Sequence, residues 1–194
     1  MFLDKIKSAL TNPLSLYPTS DEKNRIASVL IVIYGGEPKV LMTKKSHILK
    51  LHAGEIAFPG GKYEPEDVDL LETALRETRE EINLSIRNEH VIGQLQPVTT
   101  LNSRFTIYPF VAVVKRLPRL KDNPEVETIL NIPIFPLLQT MSLDMDPTHQ
   151  SIKEMYTFTY GSHVIWGASA RMLKQIYDIF LQGKLLEPTE SDLV

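Results

Sequence analysis

Three carboxylates and two guanidinium groups crowd one short stretch of this chain: Arg76, Glu77, Arg79, Glu80 and Glu81 fall within six consecutive residues. Wound into a helix at about 100° per residue, Glu77, Glu80 and Glu81 share an arc of about 100°. Like charges three and four residues apart repel by about 0.2–0.5 kcal/mol per pair, a cost that Arg76 and Arg79 only partly relieve. A hard divalent cation with oxygen ligands would neutralise the cluster, and Mg²⁺ needs few carboxylates when substrate phosphates complete its shell. A solvated, ion-paired face is the other reading that such a helix allows.

The surrounding residues say how the cluster would be held. Asp69 followed by Glu72 reads as a helix N-cap with its reciprocal partner, so the helix is expected over 70–82. Asn83 can close it in the left-handed conformation that Asn tolerates. Leu71, Leu75, Thr78 and Ile82 form a packing stripe beside the carboxylates. Just upstream, Phe58, Pro59, Gly60 and Gly61 read as a strand stopped by a type II turn, which leaves backbone uncovered by side chains.

The remaining elements follow from patterning. Residues 2–10 read as a short amphipathic helix and 12–24 as a Pro-containing surface connection. Residues 26–34 are rich in β-branched side chains and read as a buried strand, paired as a hairpin with a second strand over 39–44. Short strands are expected at 55–58 and near 90–98, 105–114 and 155–160, with a broken stretch around Pro133 and Pro136. A last helix over about 168–181 has Met172, Leu173, Ile176, Ile179 and Phe180 on one side. Strands and helices mixed in one chain of this size predict a single α/β or α+β sandwich.

Bulk composition removes several function classes. The 194 residues carry 24 acids against 21 Lys and Arg, a net charge of −3, and 43% are hydrophobic. The length prior favours one domain, and the composition is that of an ordinary globular chain. With no cysteine there is no disulfide scaffold, thiolate metal site or Cys nucleophile. The mild negative balance argues against a dedicated nucleic-acid binder. No apolar run reaches membrane-spanning length, no signal peptide is legible, and the cytoplasm is the default expectation. Charge is nonetheless uneven: residues 38–54 hold Lys39, Lys44, Lys45 and Lys50 with no acid, while residues 60–84 hold eight acids against three cations. A basic stretch beside an acidic one suits a site where phosphates meet their metals. The five histidines show no metal-ligand spacing, and Trp166 reads as core.

The stretch from Gly61 to Leu84 resembles the Nudix box, G-x5-E-x7-R-E-U-x-E-E-x-G-U with U aliphatic. Arg76, Glu77, Glu80, Glu81 and Leu84 match in register. A one-residue insertion puts Asp67 in place of the first Glu, Thr78 stands at an aliphatic position, and Asn83 replaces the second glycine. Upstream, Leu41, Met42, Thr43, Lys44, Lys45 and Ser46, then Lys50, Gly54 and Phe58 to Gly61, look like the signature of the coenzyme A diphosphatase branch. That branch prefers Arg where this chain has Lys45 and Lys50. The Trp166–Gly167 step before the last helix is also similar.

The resemblance implies a Nudix-type α/β/α sandwich with a mixed central sheet, formed by residues 1–194 as one domain. A short helix and connection (1–25) would precede its core and a loosely attached tail (184–194) would follow. It implies that Glu77, Glu80, Glu81 and the carbonyl of Gly61 hold Mg²⁺ or Mn²⁺, with Arg76 orienting a carboxylate. Lys45 and Lys50, with Arg104, are the expected substrate-binding cations. Glu80, Glu81, Glu125 and Glu127 all remain candidates for the general base, and surface positions are the simpler reading of the last two. The implied activity is hydrolysis of a diphosphate linkage in coenzyme A or an acyl-CoA, giving 3′,5′-ADP and a 4′-phosphopantetheine fragment. ADP-ribose, a dinucleotide or a nucleoside triphosphate is the alternative substrate, and a catalytically silent binding module the alternative of another class. The expected partner is a small nucleoside diphosphate derivative, with no nucleic acid or membrane; relatives that pair make a homodimer an open expectation.

Overall fold

The computed structural model describes residues 2–18, 25–48, 53–100, 104–146 and 155–187. In chain order these form helix α1 (Phe2–Leu10), strands β1 (Arg25–Tyr34), β2 (Lys39–Lys45), β3 (Ile56–Ala57) and β4 (Gly60–Lys62), and helix α2 (Leu70–Ile82). Then come β5 (Val91–Gln94), β6 (Val98–Thr99), β7 (Phe105–Val114), β8 (Val126–Pro133) and helix α3 (Ile134–Leu138). Strands β9 (Ser142–Leu143), β10 (Tyr156–Tyr160) and β11 (His163–Ile165) precede helix α4 (Gly167–Gln182).

β1 is the spine. Its β-branched run lies parallel to β7, from Arg25 opposite Phe105 to Tyr34 opposite Val114, and antiparallel to β2. Because its successive side chains face opposite sides, it serves two cores. Leu30 and Val32 pack with Leu70, Leu71, Ala74 and Ile82 of α2. Ile31 and Ile33 pack on the other side with Ile6 and Leu10 of α1 and with Met172, Leu173, Ile176 and Phe180 of α4. The result is the expected α/β/α sandwich about a mixed sheet.

The sheet is split where the site will be. β2 pairs with β1 only at Ile33–Val40 and Tyr34–Lys39, next to the turn, and the two strands then separate. The segment 56–62 fills the gap: β3 pairs with β2, then β4 pairs with β1, placing Gly61 opposite Ser28 and Gly60 opposite Val29. The expectation of a type II turn that ends a strand is therefore corrected. Phe58 to Gly61 cross from one strand to its neighbour, with Gly60 at φ 152°. A side-chain carbon there would lie 2.3 Å from the Ser28 carbonyl oxygen, so only glycine permits the crossing.

A second correction concerns 126–133. The sequence pattern names no strand there, only a broken stretch around Pro133 and Pro136; Val126–Pro133 is a strand, β8, paired with β2 from Val126–Lys45 to Pro133–Lys39. It is an edge strand with Glu127, Thr128 and Asn131 exposed, which gives it little hydrophobic signature. Pro136 falls in the first turn of α3, where a helix needs no backbone donor.

Candidate active site

Helix α2 carries the acidic cluster, and its ends are fixed as the residue types require. Asp69 Oδ1 accepts a hydrogen bond from the Glu72 amide at 2.8 Å, while the Glu72 carboxylate accepts from the Val68 amide rather than from the cap residue itself. Asn83 closes the helix at φ 54°, its amide donating to the Arg79 carbonyl. The helix is rotated so that Thr78, Glu81 and Ile82 are all buried. The three carboxylates thus sit at three depths. Glu81 is only 2% exposed, Glu77 is half-buried, and Glu80 is at the surface.

Each carboxylate has a cation. Lys45 at the end of β2 forms an ion pair with Oε1 of Glu81, and both side chains are largely buried. Arg76 Nη1 donates to Glu77 Oε1 at 3.0 Å and to Glu80 Oε2 at 3.3 Å. The rest of the Arg76 fork is anchored behind the cluster. Nε and Nη2 grip Asp67 at 2.7 and 2.9 Å, and Nη2 also donates to the Lys62 carbonyl. Asp67, 6% exposed, further accepts from Thr73 Oγ1 at 2.8 Å and the Glu64 amide at 3.0 Å.

The electrostatics follow from this wiring. The Arg76 hydrogen bonds hold the Asp67 carboxyl down at about 2, and in return keep the guanidinium charged well beyond its usual range. Burial pushes Glu77 and Glu81 up instead. Arg76 opposes the rise at Glu77, Lys45 and then the Gly60 amide oppose it at Glu81, and each of the two carboxylates is raised further by a neighbouring one. One oxygen of the buried Glu81 carboxylate, Oε2, has no hydrogen-bond partner.

These residues fit a hard cation. An orphaned, buried carboxylate oxygen is costly unless something electropositive meets it. Glu77 lies against the strand crossing so closely that a side-chain carbon on Gly61 would come 2.3 Å from its Cδ, so the Gly61 backbone and the Glu77 carboxylate share one corner. The available donors are all oxygen, which suits Mg²⁺ or Mn²⁺. Among the described residues no three His, Cys, Asp or Glu side chains converge on one point. A cation would therefore enter by rearranging the ion pairs that occupy the carboxylates.

The structure brings together Gly61, Arg76, Glu77, Glu80, Glu81 and Lys45. Lys50 lies outside the described residues. Arg104 stands exposed at the head of β7 with φ 53°, its carbonyl accepting from the Arg25 amide, and no hydrogen bond among the described residues joins its side chain to the carboxylates. Glu127 pairs with Lys44 at 2.5 Å and with His47 at 3.3 Å, and the Lys44 ammonium holds its carboxyl below the usual range. Lys44 has the side-chain parity of Met42, which packs on the α4 side, so this pair lies across the sheet from α2. The sequence pattern does not predict the Lys45–Glu81 pair or the Asp67 anchor. The only sequence signal for the anchor was an acid one residue out of register.

A profile of the NUDIX domain matches residues 24–156. A protein of Photorhabdus laumondii named "Uncharacterized Nudix hydrolase NudL" is 35% identical over 160 residues, covering 80% of this chain and 84% of the relative. Among solved structures, a MutT/nudix family protein from Enterococcus faecalis superposes with a TM-score of 0.59 at 12% identity, over 88% of this chain and 66% of that one. A NUDIX hydrolase from Alicyclobacillus acidocaldarius gives 0.53 at 20% identity, over 82% and 93%.

Proposed function

This chain belongs to the Nudix hydrolases, and from that premise we propose that it hydrolyses the diphosphate linkage of coenzyme A or its thioesters with the help of Mg²⁺ or Mn²⁺. What supports the reading most is one contact. Lys45 comes from the stretch that resembles the coenzyme A branch, Glu81 from the box, and the two meet in a buried ion pair at the split in the sheet. The strand crossing of Phe58 to Gly61, the other half of the branch signature, forms the wall against Glu77.

Glu77, Glu81 and the Gly61 carbonyl would hold the cation, with Glu80 drawn in from the surface. Bound there, the metal would supply charge neutralisation on the diphosphate and acidify a water, whose proton passes to the general base as its oxygen attacks phosphorus. The protein's own share is positioning, which dominates phosphoryl transfer. Arg76, immobilised by Asp67, fixes the Glu77 carboxylate. Lys45 and Lys50 offer point charges to substrate phosphates, including the 3′-phosphate of the nucleotide. Glu80 or Glu81 remains the candidate general base on this face of the sheet.

The products would be 3′,5′-ADP and (acyl-)4′-phosphopantetheine, made in the cytoplasm by residues 1–194 acting as one domain. The test is a panel of coenzyme A, ADP-ribose, a dinucleotide and a nucleoside triphosphate, each with Mg²⁺ or Mn²⁺ and read by product mass. Preferential cleavage of coenzyme A is expected; preference for ADP-ribose or another member would replace the substrate. Within the same panel, changing Lys45 and Lys50 together to Ala should raise KM for coenzyme A, and an unchanged KM would remove both from the substrate site.

A further inference from the structure

We propose that Lys45 is the resident cation of the Glu81 site, displaced when a divalent metal arrives and released by that exchange toward the substrate diphosphate. The inference rests on the metal-dependent reading above and specifies how its site is filled.

Four observations carry it. Glu81 is buried to 2% exposure, so its charge needs a counter-ion whether or not a metal is bound. Lys45 supplies that charge, because Arg76 is committed to Asp67, Glu77 and Glu80. The grip is one-sided: Lys45 takes Oε1 and Oε2 stays buried with no hydrogen bond within 3.5 Å among the described residues, the Gly60 amide being the backbone group that acts on the carboxylate, whereas a metal could draw on both oxygens. Finally, Lys45 ends β2 at a register shift between Lys44 and Lys45, and its flexible four-carbon stem leads from the rigid sheet to the site.

An ammonium and a divalent cation on one carboxylate repel each other, so the arrival of one favours departure of the other. Lysine suits this exchange better than arginine would. A guanidinium could hold both carboxylate oxygens in a bidentate fork and would satisfy the oxygen that is left open here. Once released, the ammonium stays within a side chain's length of the site, where a phosphate oxygen gives it a new partner. Metal and diphosphate should therefore favour each other's binding, since the metal frees Lys45 for the phosphate and the phosphate draws Lys45 off the metal's carboxylate.

The experiment measures Mn²⁺ binding without any phosphate, by the electron paramagnetic resonance signal of the free aqua ion at about pH 8, where carboxylates are ionised. It compares the wild-type chain with Lys45→Met, Lys45→Arg and Glu81→Gln. Removing the competitor should tighten Mn²⁺ binding in Lys45→Met on the order of tenfold, while Lys45→Arg gains nothing. In parallel, proton–nitrogen spectra of the wild-type lysine ammonium groups should show a slowly exchanging, ion-paired Lys45 signal that disappears on saturation with Mg²⁺ and returns with a chelator.

Unchanged or weaker binding in Lys45→Met, or a Lys45 signal that survives saturating Mg²⁺, overturns the exchange. The second readout needs only wild-type protein and decides the matter if Lys45→Met does not fold. A wild-type chain that binds no Mn²⁺, or a Glu81→Gln variant that binds it equally well, would overturn the metal reading itself and the exchange with it.

Discussion

Arg76 and Asp67 are joined by a two-point fork, Nε to Oδ1 at 2.7 Å and Nη2 to Oδ2 at 2.9 Å, in which the carboxylate is almost fully buried. The pair ties the loop after β4 to the middle of α2. It leaves Nη1 of Arg76 as the edge that meets Glu77 and Glu80. Asp67 acts here through Arg76 and lies behind the carboxylates that line the site.

Asp67→Asn should cost roughly 2–3 kcal/mol of folding stability, because it leaves the partly buried Arg76 guanidinium short of its charge partner. The pH dependence identifies the cause. The folded-state carboxyl sits near 2, below its ordinary value of 3.8, so its contribution is fully present above pH 4 or so. That contribution is lost as pH falls through about 2. Denaturant midpoints measured across this range should show the acid limb in the wild type and a shallower one in Asp67→Asn.

Gly61→Ala tests the shared corner. The added carbon would lie 2.3 Å from Cδ of Glu77, so the carboxylate must move. Misplacement of about 1 Å at such a site can cost on the order of a hundredfold. We expect kcat to fall by at least about tenfold while the melting temperature changes little, because Glu77 is half-buried and can yield. Retained kcat would separate Glu77 from the chemistry.

How much of this was legible beforehand depended on how local its cause was. The β-branched run of β1, the Asp69 cap and the left-handed Asn83 are short-range features, and all three stand where the residue types put them. The burial of Glu81 is different. Helix geometry alone sets Glu81 beside the packing stripe and Glu80 away from it, but the counter-ion that makes burial tolerable comes from β2, which delivers Lys45 from 36 positions away. The crossing at Phe58 to Gly61 was misread because Pro followed by Gly usually marks a turn. In this chain the glycines serve close backbone approach to β1 and room for Glu77. β8 was missed because an edge strand with polar outward positions and a closing proline carries a weak pattern.

The helix end offers a prediction independent of the chemistry. Asn83 stands where the box usually has glycine, at φ 54° and ψ 37°. Asn83→Ala should lose about 1 kcal/mol, the cost of a left-handed conformation for a residue with an ordinary side chain. Asn83→Gly should be close to neutral. Chemical denaturation of both variants measures this, and equal stability of the two would mean that the cap geometry does not constrain the residue.

Among the described residues no helix is long and apolar enough to cross a membrane, and the site lies at the split between β1 and β2. Within it Glu81 combines deep burial, a lysine partner, a raised carboxyl and an unpartnered oxygen, a combination absent from Glu77 and Glu80.

The most direct measurement is therefore Mg²⁺-dependent hydrolysis of coenzyme A by Glu81→Gln, compared with the wild type at equal folded fraction. Glutamine keeps the shape and removes the charge. Turnover should fall by at least about a hundredfold, the scale on which loss of a group that stabilises developing charge is felt, while the circular dichroism spectrum is retained. A folded Glu81→Gln variant that releases 3′,5′-ADP at the wild-type rate would contradict the assignment of this site.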